Sequence, residues 1–304
     1  MKQRILLASM ILSFCVSCKK DVNNNALSST TPLYALITGD SSLSVYNAAV
    51  QKSGDSKLFT GTDSITVLIP TNAAFLSQGI TLSTISAMSQ GQADSLVRYH
   101  FLNAPAHLVT GSYNSFNSLL GPAVYGFGNT DGSNNYFNGA NAVLQSLAGS
   151  NATVYKLSEP LTVPAASAQQ LLAADSALSY FAEALKVTGF SLAPASGWST
   201  VLAPDNNAFI AAGYPTLASI DSANVNTLTS LLQYHVIAGQ YFSNTFSGML
   251  TVSSEEGGSI NITASNNSVE FTGTGNTNPA LVTGADRIAG TNIIVQKINE
   301  VLLP

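Results

Sequence analysis

Three histidines (His100, His107 and His235) and two cysteines (Cys15 and Cys18) are the side chains best suited to chemistry near neutral pH, and their placement excludes most of it. A hydrolase needs a nucleophile beside a base, and a third group to orient that base. No Gly-x-Ser-x-Gly turn accompanies any of the histidines, and neither cysteine lies beyond position 18. Zinc takes several His or Cys ligands at short spacing, and none cluster here. The run NTDGSNN around Asp131 and Gly132 lacks the further acidic ligands and the distal Glu of a calcium loop, so it reads as a polar hairpin turn. GFGNTDG, from Gly126 to Gly132, misses the dinucleotide spacing by one residue and precedes no helix. Glu255 and Glu256 stand before Gly257 and Gly258, which is turn composition. The expectation is a protein that is not an enzyme and that holds no metal and no cofactor.

A different chemistry is written at the start of the chain. Lys2 and Arg4 precede an apolar run from Ile5 to Val16. That run is shorter than the roughly 20 residues needed to cross a bilayer, and it suits a signal peptide over residues 1–17. FCVSCKK, Phe14 to Lys20, resembles a bacterial lipoprotein signal. Cys18 matches the cysteine that carries lipid, and Ser17 is the small residue before it. Cys15 stands where such signals usually have Leu. Residues 18–31 are polar and aperiodic, a lipid-anchored tether. The chain is therefore expected to be exported as an outer-membrane or cell-surface lipoprotein, with the periplasmic side as the other placement, and the membrane is its partner through the N-terminal lipid. Composition agrees: charged residues make up 9% against about a quarter in ordinary soluble domains. Net charge is −5 and no Lys/Arg run could track a phosphate backbone, so no nucleic acid is expected.

The remaining sequence says the same thing twice. VLIPTNAAF (Val67 to Phe75) recurs as VLAPDNNAF (Val201 to Phe209). In each, a β-branched apolar run predicts a buried strand, ended by Pro70 or Pro204. Thr71 and Asp205 each offer a side-chain oxygen to cap a new helix, worth about 1 kcal/mol, and Phe75 and Phe209 drive that helix into a core. LVRYHFL (Leu96 to Leu102) recurs as LLQYHVI (Leu231 to Ile237) at nearly the same offset. Thr153 to Pro164 corresponds more loosely to Asn292 to Pro304, with Tyr155 against Gln296, as an insertion in a loop would cause. Two domains are expected, 32–164 and 175–304. The Ala-rich stretch 165–174 should form a short, semi-rigid joint between them.

A strand ending in P-[TD]-N-x-A-F, a helix ending in Y-H and a closing V-L-L-P, in that order and twice over, resemble the fasciclin-like domain. The resemblance implies an α+β fold of two tandem domains, each a β-sheet wedge with packed helices. It also implies adhesion to, or binding of, protein or matrix ligands at a cell surface. The family's Asn-Gly-x-x-His run before the last strand is absent, because Tyr155 and Gln296 stand there. By resemblance, the ligand-contact candidates are Leu96, Tyr99, His100, Leu231, Tyr234 and His235. Read from the residues alone, both histidines lie on apolar helix faces, where a histidine is more often a hydrogen-bonded core group than a ligand contact. The rings of Tyr113, Phe116, Tyr125, Phe127, Tyr136 and Phe137 crowd an uncharged segment. They either fill the first core or form a platform for sugars. The alternative function is accordingly a glycan-binding accessory protein of an outer-membrane uptake system.

Overall fold

The structure, a computed structural model, describes residues 33–60, 64–129, 134–145, 152–265 and 268–304. The leader, Cys18, the tether and Asp131 lie outside the described residues. The first half begins with helices α1 (Leu33–Gly39) and α2 (Ser44–Ser53), strand β1 (Thr66–Pro70) and helices α3 (Asn72–Ser77), α4 (Leu82–Ala87) and α5 (Gln90–Tyr99). Strands β2 (Phe101–Leu102), β3 (Tyr113–Asn117), β4 (Ala123–Gly128), β5 (Asn135–Phe137), β6 (Ala140–Gln145) and β7 (Thr153–Leu157) follow. The second half repeats the order with α6 (Ala168–Ala174), α7 (Ser179–Thr188), β8 (Ser199–Pro204), α8 (Asn206–Ala211), α9 (Leu217–Asp221) and α10 (Val225–Tyr234). It ends in β9 (Val236–Ala238), β10 (Gly248–Ser253), β11 (Ser259–Ser265), β12 (Ser268–Gly273), β13 (Ala280–Leu281), β14 (Arg287–Ala289) and β15 (Ile293–Ile298).

β1 and β8 are buried along their whole length because each is a central strand covered on both faces. β1 pairs in parallel with β7 and antiparallel with β2, and β8 does the same with β15 and β9. The period of two then sorts each strand between two layers. Val67 and Ile69 face α2 and Phe75, while Leu68 faces Tyr99, Phe137 and Tyr155. Val201 and Ala203 face Phe181 and Phe209, while Leu202 faces Tyr234, Ile260 and Phe271. Phe75 and Phe209 are fully buried, as the repeated motif requires.

The stretch expected to be a joint is not one. α6 buries Ala168, Leu171 and Leu172 in the second core, just as α1 buries Leu33, Leu36 and Ile37 in the first. Two leucines inside the Ala-rich run supply an apolar stripe, so the helix docks instead of linking. Ala165 is also fixed, donating its N–H to Ile288 O at 3.0 Å and accepting from Gly290 N at 2.8 Å.

The two halves differ in their sheets. The first forms one seven-stranded sheet, ordered β2-β1-β7-β6-β5-β4-β3. The second splits into β14-β15-β8-β9 and β10-β11-β12-β13. β6 pairs continuously with β7, from Ala142 opposite Leu157 to Gln145 opposite Val154. Its counterpart is broken: Val282 bridges Ile298, and Arg287 next meets Val295. Two extra residues around Gly284 therefore interrupt the strand, and the rest of the drift in offset arises before Val282, in the hairpins that do not repeat.

Candidate functional site

Each Tyr-His helix is held at both ends. Ser89 and Gln92 form a capping box on α5, and Asn224 accepts from Asn226 N and Thr227 N at the start of α10. The histidines cap the other ends. His100 Nε2 accepts from Leu161 N at 2.9 Å, so Nδ1 carries the proton and donates to Leu96 O at 2.7 Å. His235 repeats this with Leu302 N at 2.9 Å and Leu231 O at 2.7 Å. Both rings are fully buried. Burial penalises the imidazolium and pushes both pKa values down to about 4, against the smaller opposing effect of the leucine carbonyls. Each ring is therefore neutral at physiological pH, with both nitrogens occupied.

The tyrosines are interior as well. Tyr99 Oη donates to Ala123 O at 3.1 Å and accepts from Asn138 Nδ2 at 2.9 Å. Tyr234 Oη donates to Ser259 O at 2.6 Å and accepts from Thr274 N at 3.3 Å. Leu96 and Leu231 are half-buried against their cores. The structure thus brings the six contact candidates together in two equivalent clusters, but turns the Tyr and His side chains inward. Each His ties its helix to the closing segment of its domain, and each Tyr ties it to the β-hairpins.

Two further constellations repeat. Asn72 accepts from Val45 N at 3.0 Å and donates to Ser41 O at 2.9 Å; Asn206 accepts from Tyr180 N at 3.1 Å and donates to Ser176 O at 2.9 Å. The motif's Asn therefore staples the new helix to the preceding one. Lys156 pairs with Asp40 at 2.6 Å, and Lys297 with Asp175 at 3.1 Å. Matching positions of Asp and Lys in the two copies were the signal available in the sequence. Among the described residues no group of three or more His, Cys, Asp or Glu could hold a metal.

The aromatic run divides between three places. Phe116 and Phe137 enter the first core. Tyr113 and Tyr125 leave it and pack with Trp198, Phe242, Ile288 and Ile294 of the second domain. Tyr113 lies 5.8 Å from Phe242 and 4.9 Å from Phe127, and Tyr125 lies 4.8 Å edge-on from Trp198. Tyr113 Oη meets Thr245 Oγ1 at 2.6 Å and accepts from Phe242 N at 3.3 Å. Its hydroxyl is pushed up to about 12, chiefly by burial. Beside it, Asn138 and Gly139 make a two-residue turn with φ of 47° and 86°, the positive pair that a tight hairpin demands. Gly139 O accepts from Asn244 Nδ2 at 2.6 Å, and a Cβ on Gly139 would lie 2.6 Å from Asp286 Oδ2. That Asp286 oxygen accepts from Ser243 N at 2.7 Å and from its hydroxyl at 2.9 Å, while Oδ1 is sealed without a partner. Burial raises the Asp286 pKa to about 7 against those bonds, with nearby Glu159 adding to the rise.

Tyr136 lines the third place, a cleft of about 570 Å³ between the domains. Asn141, Ser158 and Glu159 lie on one wall, and Asn244, Phe246 and Ser268 on the other. Among the described lining residues none is Lys, Arg or His. The Glu159 pKa is raised by its burial.

One family model matches in both halves of the chain. The fasciclin domain model matches residues 41–164 and 176–304. A solved FAS1 domain pair from the insect cell adhesion molecule Fasciclin I is similar at 16% identity, covering 86% of this chain and 97% of that one, with a TM-score of 0.41. A search among curated proteins gave no match. With the domain model matched in both halves, and one helix–strand–helix plan built twice around the same His and Asn bonds, the chain belongs to the fasciclin family as a tandem of two domains.

Proposed function

We propose that this chain is a non-enzymatic adhesion or binding protein that holds a protein or matrix ligand through its tandem fasciclin domains. The observation that carries this reading is a repeated bare surface. Leu76 and Leu82, on α3 and α4, are 66% and 50% exposed; Ile210 and Leu217, at matching places on α8 and α9, are 46% and 41% exposed. Single exposed apolar residues are ordinary. The same two positions left bare in both copies belong to neither core, and few charges surround them in sequence, which suits the centre of a protein contact. This reading takes the outer helices as the contact surface in place of the buried Tyr-His side chains. Replacing all four with Ser should leave the melting temperature unchanged and lower adhesion to protein-coated surfaces. Undiminished adhesion would remove the surface from consideration.

Membrane attachment is assigned to Cys18, supported by Lys2, Arg4, the Ile5 to Val16 run and Ser17. Each buried acyl CH₂ contributes about 0.8 kcal/mol, so several chains on one cysteine anchor a protein firmly. The protein would then work at the outer membrane or cell surface, or on the periplasmic side. Fractionation with labelled fatty acid tests this: Cys18→Ala should lose the label and leave the membrane, while Cys15→Ala should do neither.

A second reading, a glycan-binding accessory protein of an outer-membrane uptake system, is supported by the hydroxyl- and amide-rich lining of the interdomain cleft, in which no described residue is a cation.

A further inference from the structure

The cleft between the domains has the chemistry of one ligand class. Its polar lining consists of serine hydroxyls, the amides of Asn141 and Asn244 and the carboxylate of Glu159. Hydroxyls and amides both donate and accept at short spacing, which matches a polyol, whose every hydroxyl does the same. Asn244 uses its Nδ2 on Gly139 O, so the amide is fixed in orientation and its oxygen is left as an acceptor. Phe246 is also immobilised: Tyr241 stacks on it at 5.4 Å and 12°, and Phe271 meets it edge-on at 5.8 Å. A held ring on a polar wall offers an apolar surface to the C–H side of a sugar. The 570 Å³ volume lies inside the range of about 300–1,000 Å³ usual for small-ligand sites.

Charge narrows the class further. Glu159 is the acid that lines the cleft, Asp286 lies beside it in the adjoining smaller pocket, and no cation lines the cleft among the described residues. A uronate, a sulfated sugar or a phosphate would bring its negative charge against a half-buried carboxylate with nothing to balance it. A peptide anchored by its side chains would want an apolar groove, and these walls are mostly hydroxyl and amide. The walls belong to different domains and are held by the Tyr113, Phe242 and Gly139–Asn244 contacts. The site is therefore formed before a ligand arrives, and binding carries little ordering cost.

We propose that this cleft binds an uncharged oligosaccharide. The assignment rests on the glycan-binding reading above and gives it a location. The test uses the purified full chain on an array of neutral glucans, mannans, galactans and xylans beside anionic glycans, followed by calorimetric titration of the strongest neutral glycan. Two variants probe the cleft: Ser268→Tyr, which fills it from an exposed position, and Glu159→Gln, which keeps the shape and removes the charge. The expected result is retention of neutral glycans alone. Affinity should fall about tenfold or more in Ser268→Tyr, with melting unchanged, and the variant Glu159→Gln should begin to tolerate anionic glycans. Neutral glycans bound equally by both variants would place the site elsewhere and overturn this proposal, while the glycan-binding reading survived. Binding of no neutral glycan would overturn both. Retention of anionic glycans or of a cationic peptide by the wild type, lost in Ser268→Tyr, would overturn the assignment of ligand class.

Discussion

The two domains keep the same bonds and build different sheets. His100 and His235, Asn72 and Asn206, and the Asp40–Lys156 and Asp175–Lys297 pairs occupy matching places with matching partners. The first domain nonetheless has one seven-stranded sheet and the second has two of four strands. The difference is traceable to two extra residues between Val282 and Arg287. They break the strand that would join the sheets, and the same break carries Asp286 to the domain boundary. Buried polar bonds that define a domain resist change, because leaving one partner unsatisfied costs about 1–3 kcal/mol. Segments beyond them are free to diverge, and the contacts between the domains come from strands and loops that differ between the two copies.

If the two cores are equivalent, removing the same ring from each should cost the same. Phe75→Ala and Phe209→Ala should each lose about 3–5 kcal/mol, read from urea unfolding of the full chain. Unequal losses would show that one core leans on the other.

The histidines should give each domain the same acid sensitivity. Their folded pKa values, about 4, lie below the ordinary 6.5. The unfolded state then binds more protons, so the stability each contributes is present above pH 6.5 and lost as pH falls toward 4. Each is worth roughly 3 kcal/mol over that window. Thermal melts from pH 8 to pH 4 should show the decline. His100→Gln and His235→Gln should each remove about half of it.

Asp286 breaks the symmetry with the opposite sign. Its pKa rises from an ordinary 3.8 to about 7, so the folded state binds the extra proton. Its stabilising share is complete below about pH 4 and lost as pH rises through 7. Asp286→Asn should therefore gain about 1–2 kcal/mol at pH 8, once the orphaned amide hydrogen is discounted. It should also make the remaining histidine-driven slope steeper, and a slope unchanged by the substitution would remove Asp286 from the balance. The smallest effects belong to Lys156→Met and Lys297→Met, where the partners are about a quarter exposed. Each should cost under about 1 kcal/mol and fade with added salt.

Much of the repeated framework was legible in the residues. Thr71 and Asp205 cap their helices by accepting from Ala74 N and Ala208 N, as a short side-chain oxygen after a strand-ending proline suggests. Both fasciclin domains were recognisable from the same motifs. Whether the histidines faced ligand or core could not be settled by spacing, because the deciding partners, Leu161 and Leu302, sit over sixty residues away. The helix at Ala168–Ala174 was read as a joint because an Ala-rich run looks alike whether it links or docks. The division of the aromatic run was the least legible part. Tyr113 meets Phe242 and Tyr125 meets Trp198, in segments that do not repeat and so left no paired signal.

The central parallel pair has a consequence for how such a chain is made. β1 pairs along its whole length with β7, Thr66 against Thr153, and His100 waits for the N–H of Leu161. Every residue between must be synthesised before the middle of the sheet can close, which raises the contact order and slows folding. Until then the inner edge of β1 is an unpaired apolar strand. Helices α1 to α5 can gather against one of its faces, but neither the ladder nor the histidine bond can form. A chain of which only the part before Leu161 is free therefore holds an open sheet, and one free beyond Leu161 can close the domain. The second domain repeats the same delay, with β8 unpaired on its β15 side until Ile293–Ile298 emerges.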